Sequence, residues 1–211
     1  MKYRRAWLQQ EEENPIKKND EQPNLNDYKE PGYVEVINNR IYFYADIDQS
    51  KILHLIKTIK EKEDEMIVKQ RTWLLDAPPT IHLHIQSYGG YVHAGMAAYD
   101  HIKNLKVPVH TYVDGVSASA ATLLNISGVK RFIYKNAFML IHQISYAYWG
   151  TFTHENLKDE MQNSDNLMTV LKKIYLESTG IPEKKLNELL KKDLYFTAED
   201  CLKYNLVDSI I

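Results

Sequence analysis

A hydroxyl, an imidazole and a carboxylate brought together can carry acyl transfer, and this chain offers each in a suggestive setting. Ser119 stands in Gly115-Val116-Ser117-Ala118-Ser119-Ala120-Ala121. The segment follows an expected strand and opens an expected helix over Ser119 to Ile126. A hydroxyl there lies beside unpaired backbone N–H groups and the positive end of a helix dipole, a setting that favours a developing oxyanion. Small neighbours let a substrate backbone approach closely. The plainer alternative is that Ser117 or Ser119 caps the helix, and the G-x-S-x-G elbow is absent. Gly89-Gly90 ends another strand, where glycine permits unusual φ and leaves a backbone N–H open to a ligand carbonyl; an ordinary tight turn explains the pair equally well.

His142 closes the apolar run Phe138-Met139-Leu140-Ile141, and an imidazole at a strand end on the same edge as Ser119 suits general-base work. Eight histidines are present, so residue type alone singles out none of them. His82 and His84 alternate on one strand face and could bind a metal, although no third ligand is obvious. His93, His101 and His110 read as surface or packing residues. Asp193 precedes Leu194-Tyr195-Phe196: it is either a partly buried, paired carboxylate or a solvated loop acid after Lys191-Lys192. Asp114, five residues before Ser119, is a rival acid.

The elements that must position these side chains follow from periodicity and breakers. Residues 1 to about 33 are rich in Glu, Asn, Lys and Pro, and read as a flexible N-terminal arm or a removable propeptide. Tyr33–Ile37 and Arg40–Tyr44 read as strands around an Asn38-Asn39 turn. Asp48 to Ile59 is an amphipathic helix, and 60–78 is a charged, irregular surface excursion or an extended helix end. Thr80–Ile85 is a strand, Tyr91–Leu105 a helix, Val107–Val113, Lys130–Tyr134 and Phe138–His142 further strands. That alternation implies a largely parallel α/β sheet with crossovers. A long helix from about His154 to Ser178 has an apolar stripe that fails over Gln162 to Asn166, as in a helix that projects and packs on a neighbour. Shorter helices end near Leu190 and span Thr197 to Tyr204, with Thr197 and Asp200 placed as a capping pair.

Composition bounds the function class. The 211 residues are 44% hydrophobic and 26% charged, with a formal net charge of −2, so no strong field holds nucleic acid or an anionic membrane. The single cysteine, Cys201, forms no internal disulfide and suits a reducing compartment. No run of about 18 apolar residues predicts a transmembrane helix, and the N-terminus lacks the apolar stretch of a secretory signal; a cytoplasmic location is the expectation. No phosphate-binding loop is found.

Six segments in order carry a family resemblance. Gln86-Ser87-Tyr88-Gly89-Gly90, Ala94-Gly95-Met96-Ala97-Ala98-Tyr99-Asp100, Ala118-Ser119, Met139-Leu140-Ile141-His142-Gln143, Asp193 with Phe196-Thr197-Ala198-Glu199, and Tyr204-Asn205-Leu206-Val207-Asp208 resemble the motifs of the ClpP family of self-compartmentalising serine peptidases. The match runs from about Arg40 to the C-terminus. The resemblance implies a ClpP/crotonase-like spiral of ββα units over 34–211, with a projecting handle helix at about 145–178. It also implies Ser119 as nucleophile, His142 as base, Asp193 as orienting acid, and the backbone N–H groups of Gly90 and Ala120 as oxyanion hole. Two stacked heptameric rings of the same chain, fed with unfolded protein by an AAA+ unfoldase of the Clp type, are implied partners. The subunit would hold no cofactor, ATP being used by the unfoldase.

Departures from the family pattern are local. Tyr88 stands in place of proline, which implies a more mobile or self-occluding loop beside the substrate. Ala120-Ala121 replaces the common Met-Gly, Ile144 replaces proline, and 60–78 is longer than usual. His82 and His84 occupy a strand where bacterial members often carry aromatics that receive unfoldase loops. A bacterial, plastid or viral copy is compatible with these differences. Two alternatives stay open: a catalytically silent ClpP-like subunit of mixed rings, and a crotonase-type enzyme acting on acyl-CoA thioesters.

Overall fold

Two antiparallel strands, β1 (Val34–Ile37) and β2 (Arg40–Tyr44), lead into the α/β body. Asn38 in the turn between them takes φ of 58°, a conformation asparagine tolerates better than most residues. There follow α1 (Gln49–Thr72), β3 (Ile81–Ser87), α2 (Val92–Lys103), β4 (Val109–Ala118), α3 (Ala121–Ile126), β5 (Lys130–Ile133) and β6 (Phe138–Leu140). The chain finishes with α4 (His154–Thr179), α5 (Glu183–Leu189), α6 (Ala198–Lys203) and β7 (Ser209–Ile210). The structure is a computed structural model and describes residues 33–147 and 149–211. The arm expected over 1–33 therefore lies, Tyr33 apart, outside the described residues.

The strands make one seven-stranded sheet in the order β1-β2-β3-β4-β5-β7, with β6 on β4 beside it. Every pairing except β1–β2 is parallel, as the α/β alternation predicts. β4 is long enough to serve two partners: His110–Val113 pair with β5, and Val116–Ala118 pair with β6. The second half of β4 thus carries β6 forward, so that both strands end at one edge. β7 is too short for periodicity to reveal; its pairing with Phe132 and Ile133 defines it.

Of the two readings of 60–78, the extended helix end holds as far as Thr72, where the unbroken α1 ends, and the irregular reading is corrected over that stretch. Glu63 is buried there, accepting from the Lys60 ammonium and from the Lys106 amide. Met66 is fully buried in the core, and Lys62 and Lys69 flank Glu65. A run that looks merely charged keeps one inward face, and that face holds the helix.

α4 is capped by Thr153, whose hydroxyl accepts from the Asn156 amide while Asn156 accepts from the Thr153 amide. Its buried residues are Leu171, Tyr175 and Thr179, all in the last third. Leu157 and Met161, further toward its start, are exposed. The helix is thus anchored at one end, as its broken apolar stripe predicts.

Candidate active site

Three adjacent parallel strands end at the same edge, the place where open α/β sheets present their ligand-binding loops. Ser87 of β3 leads into Gly89-Gly90, Ala118 of β4 into Ser119, and Leu140 of β6 into His142. β4 and β6 are locked in register at Ala118 and Leu140, and the Ser119 amide donates to the Leu140 carbonyl at 2.8 Å. The hydroxyl and the imidazole therefore leave neighbouring strands one and two residues past their last rung.

Ser119 itself takes φ of 54°. A non-glycine residue in this left-handed region costs about 1–2 kcal/mol, held by its surroundings. The turn lifts the side chain out of the strand toward His142. The expected helix start is corrected: α3 begins at Ala121, so Ser119 precedes it and its side chain makes no cap. Its Oγ instead lies 2.8 Å from His142 Nε2.

The acid arrives on a loop stitched to the histidine segment at both ends. The Gln143 amide donates to the Leu190 carbonyl at 2.8 Å, while Met139 and Phe196 exchange backbone hydrogen bonds at 3.1 and 2.7 Å. Between these anchors the loop delivers Asp193, whose Oδ1 accepts from His142 Nδ1 at 2.9 Å. A carboxylate can only accept here, so Nδ1 carries the proton and Nε2 is left to accept the Ser119 hydroxyl. Side-chain exposure is 25% for His142 and 81% for Asp193. Asp193 is thus a solvated acid that nonetheless pairs, which joins the two readings of it open in the sequence. Asp114, the rival acid, faces elsewhere: it pairs with His84 Nδ1 at 2.9 Å and accepts from the Tyr44 hydroxyl at 2.7 Å.

Two backbone amides complete the arrangement. The Ile47 amide donates to the Gly89 carbonyl at 2.8 Å, and the Tyr91 amide to the Ile47 carbonyl at 2.9 Å, so Ile47 clamps the Gly-Gly loop from both sides. Gly89 and Gly90 take φ of 98° and 148°. A Cβ on Gly89 would come within 2.7 Å of the Ala118 carbonyl oxygen, and one on Gly90 would collide with the Ile47 carbonyl. Only glycine fits either position. Among the described residues neither the Gly90 nor the Ala120 amide donates to a backbone acceptor. Both residues line a cleft of about 540 Å³ with Ser119 and His142, floored by Leu171 and Tyr175 of α4. Ile47 carries no sequence signal for this role.

Tyr88 does not line that cleft. It faces a separate hollow with Phe138 and Tyr195, so the self-occlusion expected from it is not seen. Ile144 packs against the core, with its amide on Met168 Sδ at 3.4 Å. His82 and His84 are engaged by side chains: His82 Nδ1 contacts the Tyr112 hydroxyl at 2.8 Å, and His84 contacts Asp114 and Arg40. Among the described residues no group of three or more His, Cys, Asp and Glu could hold a metal ion.

Comparison with known proteins agrees with this architecture. The Clp protease family model matches residues 37–211. The ATP-dependent Clp protease proteolytic subunit 2 of Chlamydia muridarum is 31% identical over 175 residues, covering 80% of this chain and 84% of that protein. The proteolytic subunit 1 of Chlamydia felis gives the same identity and coverage. Among solved structures, a point mutant of ClpP1 from Listeria monocytogenes superposes with a TM-score of 0.70 over 82% of this chain and 91% of that one; at 22% identity it speaks to the fold. With the family model spanning nearly all the described residues and relatives matching along four-fifths of the sequence, the chain belongs to the Clp protease family.

Proposed function

We propose that this chain is an active serine endopeptidase subunit of the Clp type, with Ser119 as nucleophile, His142 as general base and Asp193 as the acid that orients it. The observation that carries this reading is the line Ser119 Oγ, His142 Nε2, His142 Nδ1, Asp193 Oδ1, with steps of 2.8 and 2.9 Å, at the rim of a cleft holding two free amides.

The chemistry follows from these contacts. His142 Nε2 takes the Ser119 proton as Oγ adds to the peptide carbonyl. The carbonyl oxygen, now anionic, accepts from the Gly90 and Ala120 amides. The imidazolium faces the Asp193 carboxylate and then protonates the leaving amine as the C–N bond breaks. Water, deprotonated by the same imidazole, releases the acyl group and restores Ser119. No resident cofactor enters these steps. A crotonase-type reaction would leave the Ser119–His142 contact without a use.

The wider reading comes from family membership. Two stacked heptameric rings would enclose the clefts, and an AAA+ unfoldase would thread unfolded chains inward while hydrolysing ATP. Exposed Leu157 and Met161 on α4 suit a helix that meets a partner. Among the described residues no helix is long and apolar enough to cross a membrane. Burial pushes the Cys201 thiol up to about 12, so it is inert rather than a redox centre. An aqueous, reducing compartment of a bacterium, a plastid or a virus-infected cell fits these features.

The test is hydrolysis of fluorogenic peptides by wild type and Ser119→Ala, with oligomeric state measured alongside. Turnover and a fluorophosphonate adduct on Ser119 in wild type alone are expected. Assembled wild-type particles with neither adduct nor turnover would instead make this a silent structural subunit.

A further inference from the structure

The Ser119–Ala120 peptide has two sides. Its N–H belongs to Ala120 and is one of the two free amides of the cleft. Its C=O belongs to Ser119 and points the other way, because a trans peptide holds the two groups antiparallel. That carbonyl accepts twice from one residue: from the Thr122 amide at 3.0 Å and from the Thr122 hydroxyl at 2.6 Å. Thr122 Oγ1 has one proton, spent on the carbonyl, so its contact with the Tyr175 hydroxyl must be one in which Tyr175 donates. Thr122 is fully buried and Tyr175 nearly so. Burial pushes the Tyr175 phenol up to about 12, which keeps it protonated and able to donate.

We infer that Tyr175 is a positioning residue, acting through Thr122 to hold and polarise the Ser119–Ala120 peptide so that the Ala120 amide stays aimed at the oxyanion. The inference rests on the serine peptidase reading above and names a residue outside the three side chains that carry it. The physics has two parts. Pinning the carbonyl fixes the rotation of a peptide whose Ser119 φ of 54° is otherwise unfavourable. Hydrogen bonds in a chain also polarise one another, so a carbonyl that accepts strongly makes the amide of the same peptide a better donor. Tyr175 sits in the anchored third of α4 beside Leu171, so a rigid part of the helix supports the site from beneath.

Tyr175→Phe deletes one hydroxyl and keeps the ring in the core. It should lower kcat by about threefold to tenfold with KM unchanged, as loss of a buried hydrogen bond implies. Thr122→Val removes both side-chain bonds and should lower kcat roughly tenfold or more; Thr122→Ser should restore it. Adding Tyr175→Phe to Thr122→Val should change nothing further, since the link is already cut. Ring assembly and melting temperature, followed in each variant, separate positioning from damage to the fold. Wild-type kcat in Tyr175→Phe overturns the inference. So does additivity in the double variant, or a loss that Thr122→Ser fails to rescue. Should wild type itself prove inert, the peptidase reading falls, and crystal structures decide the linkage: Thr122→Val must then show the Ser119–Ala120 peptide rotated relative to wild type, and an unmoved peptide overturns it.

Discussion

Among the described residues two histidine–aspartate pairs are present, and they are unlike in nearly every respect that matters to chemistry. His84 is buried and Asp114 largely covered, with side-chain exposures of 3% and 12%, against 25% and 81% for His142 and Asp193. The His84 ring is stacked between Tyr42 and Tyr112, centroids 4.6 Å away on each side, and the ladder continues to Phe132 at 4.9 Å. These four rings occupy consecutive register positions on β2, β3, β4 and β5. His84 Nε2 accepts from Arg40 at 3.1 Å, so both ring nitrogens are spent. In His142 the second nitrogen faces a hydroxyl in an open cleft. Burial and pairing make the first a structural clamp; a nitrogen facing the Ser119 hydroxyl, beside unspent amides, makes the second a candidate reaction centre.

The largest effect that would break this contrast is at Ser119. Ser119→Ala should lower peptide turnover by about 10⁴-fold or more, as removal of a triad nucleophile does elsewhere, with oligomeric state and melting unchanged. The same variant with turnover intact would remove the basis for treating the His142 pair as special. Asp193→Asn comes next. Because this acid is mostly solvated, water can partly take its place, and the loss should be about 10²- to 10³-fold, below that for a buried triad acid.

The opposite pattern is expected at the other pair. Asp114→Ala orphans the buried His84 nitrogen and the Tyr44 hydroxyl, which should lower stability by roughly 2 kcal/mol while leaving kcat per assembled site unchanged. Calorimetry and peptide hydrolysis on one sample check both halves; an activity loss without a stability loss would reverse the roles assigned to the two pairs. The smallest effect concerns acid sensitivity on the same face. Burial first, then the charges of Arg40, His110 and His84, lowers His82 from 6.5 to about 4. The unfolded chain therefore takes up this proton before the folded one does. The contribution is complete above pH 6.5 and is lost as pH falls toward 4. His82→Gln should flatten the melting-temperature curve over that window, read by scanning fluorimetry.

Legibility in the sequence was uneven, for physical reasons. The parallel α/β sheet was readable because alternating apolar runs and breakers report local burial directly. The long helix over His154 to Thr179 was readable to within a residue, since its caps and broken stripe are local features. The continuation of α1 beyond Ile59 was legible only as one of two readings, because Glu63 looks solvated until the Lys106 amide is brought to it from another part of the chain. Ser119 and His142 were singled out by their setting together with the family motifs around them. Asp193 did not: a solvated loop acid and a pairing acid look alike in sequence, and Asp114 was nearer to the nucleophile along the chain.

What the sequence determined by itself was the inventory: a serine at a strand end among small residues, a histidine closing an apolar run, paired glycines at a strand end, and motifs in the order of one family. Such properties depend on neighbours along the chain. The tertiary structure alone decided which acid meets which histidine, since Asp193 reaches His142 across 51 residues and Asp114 reaches His84 across 30. It alone set the left-handed turn at Ser119, and it alone set Tyr175 behind Thr122, 53 residues away. Hydrogen bonds between distant residues depend on strand register and on loops pinned at both ends, and no local pattern encodes either.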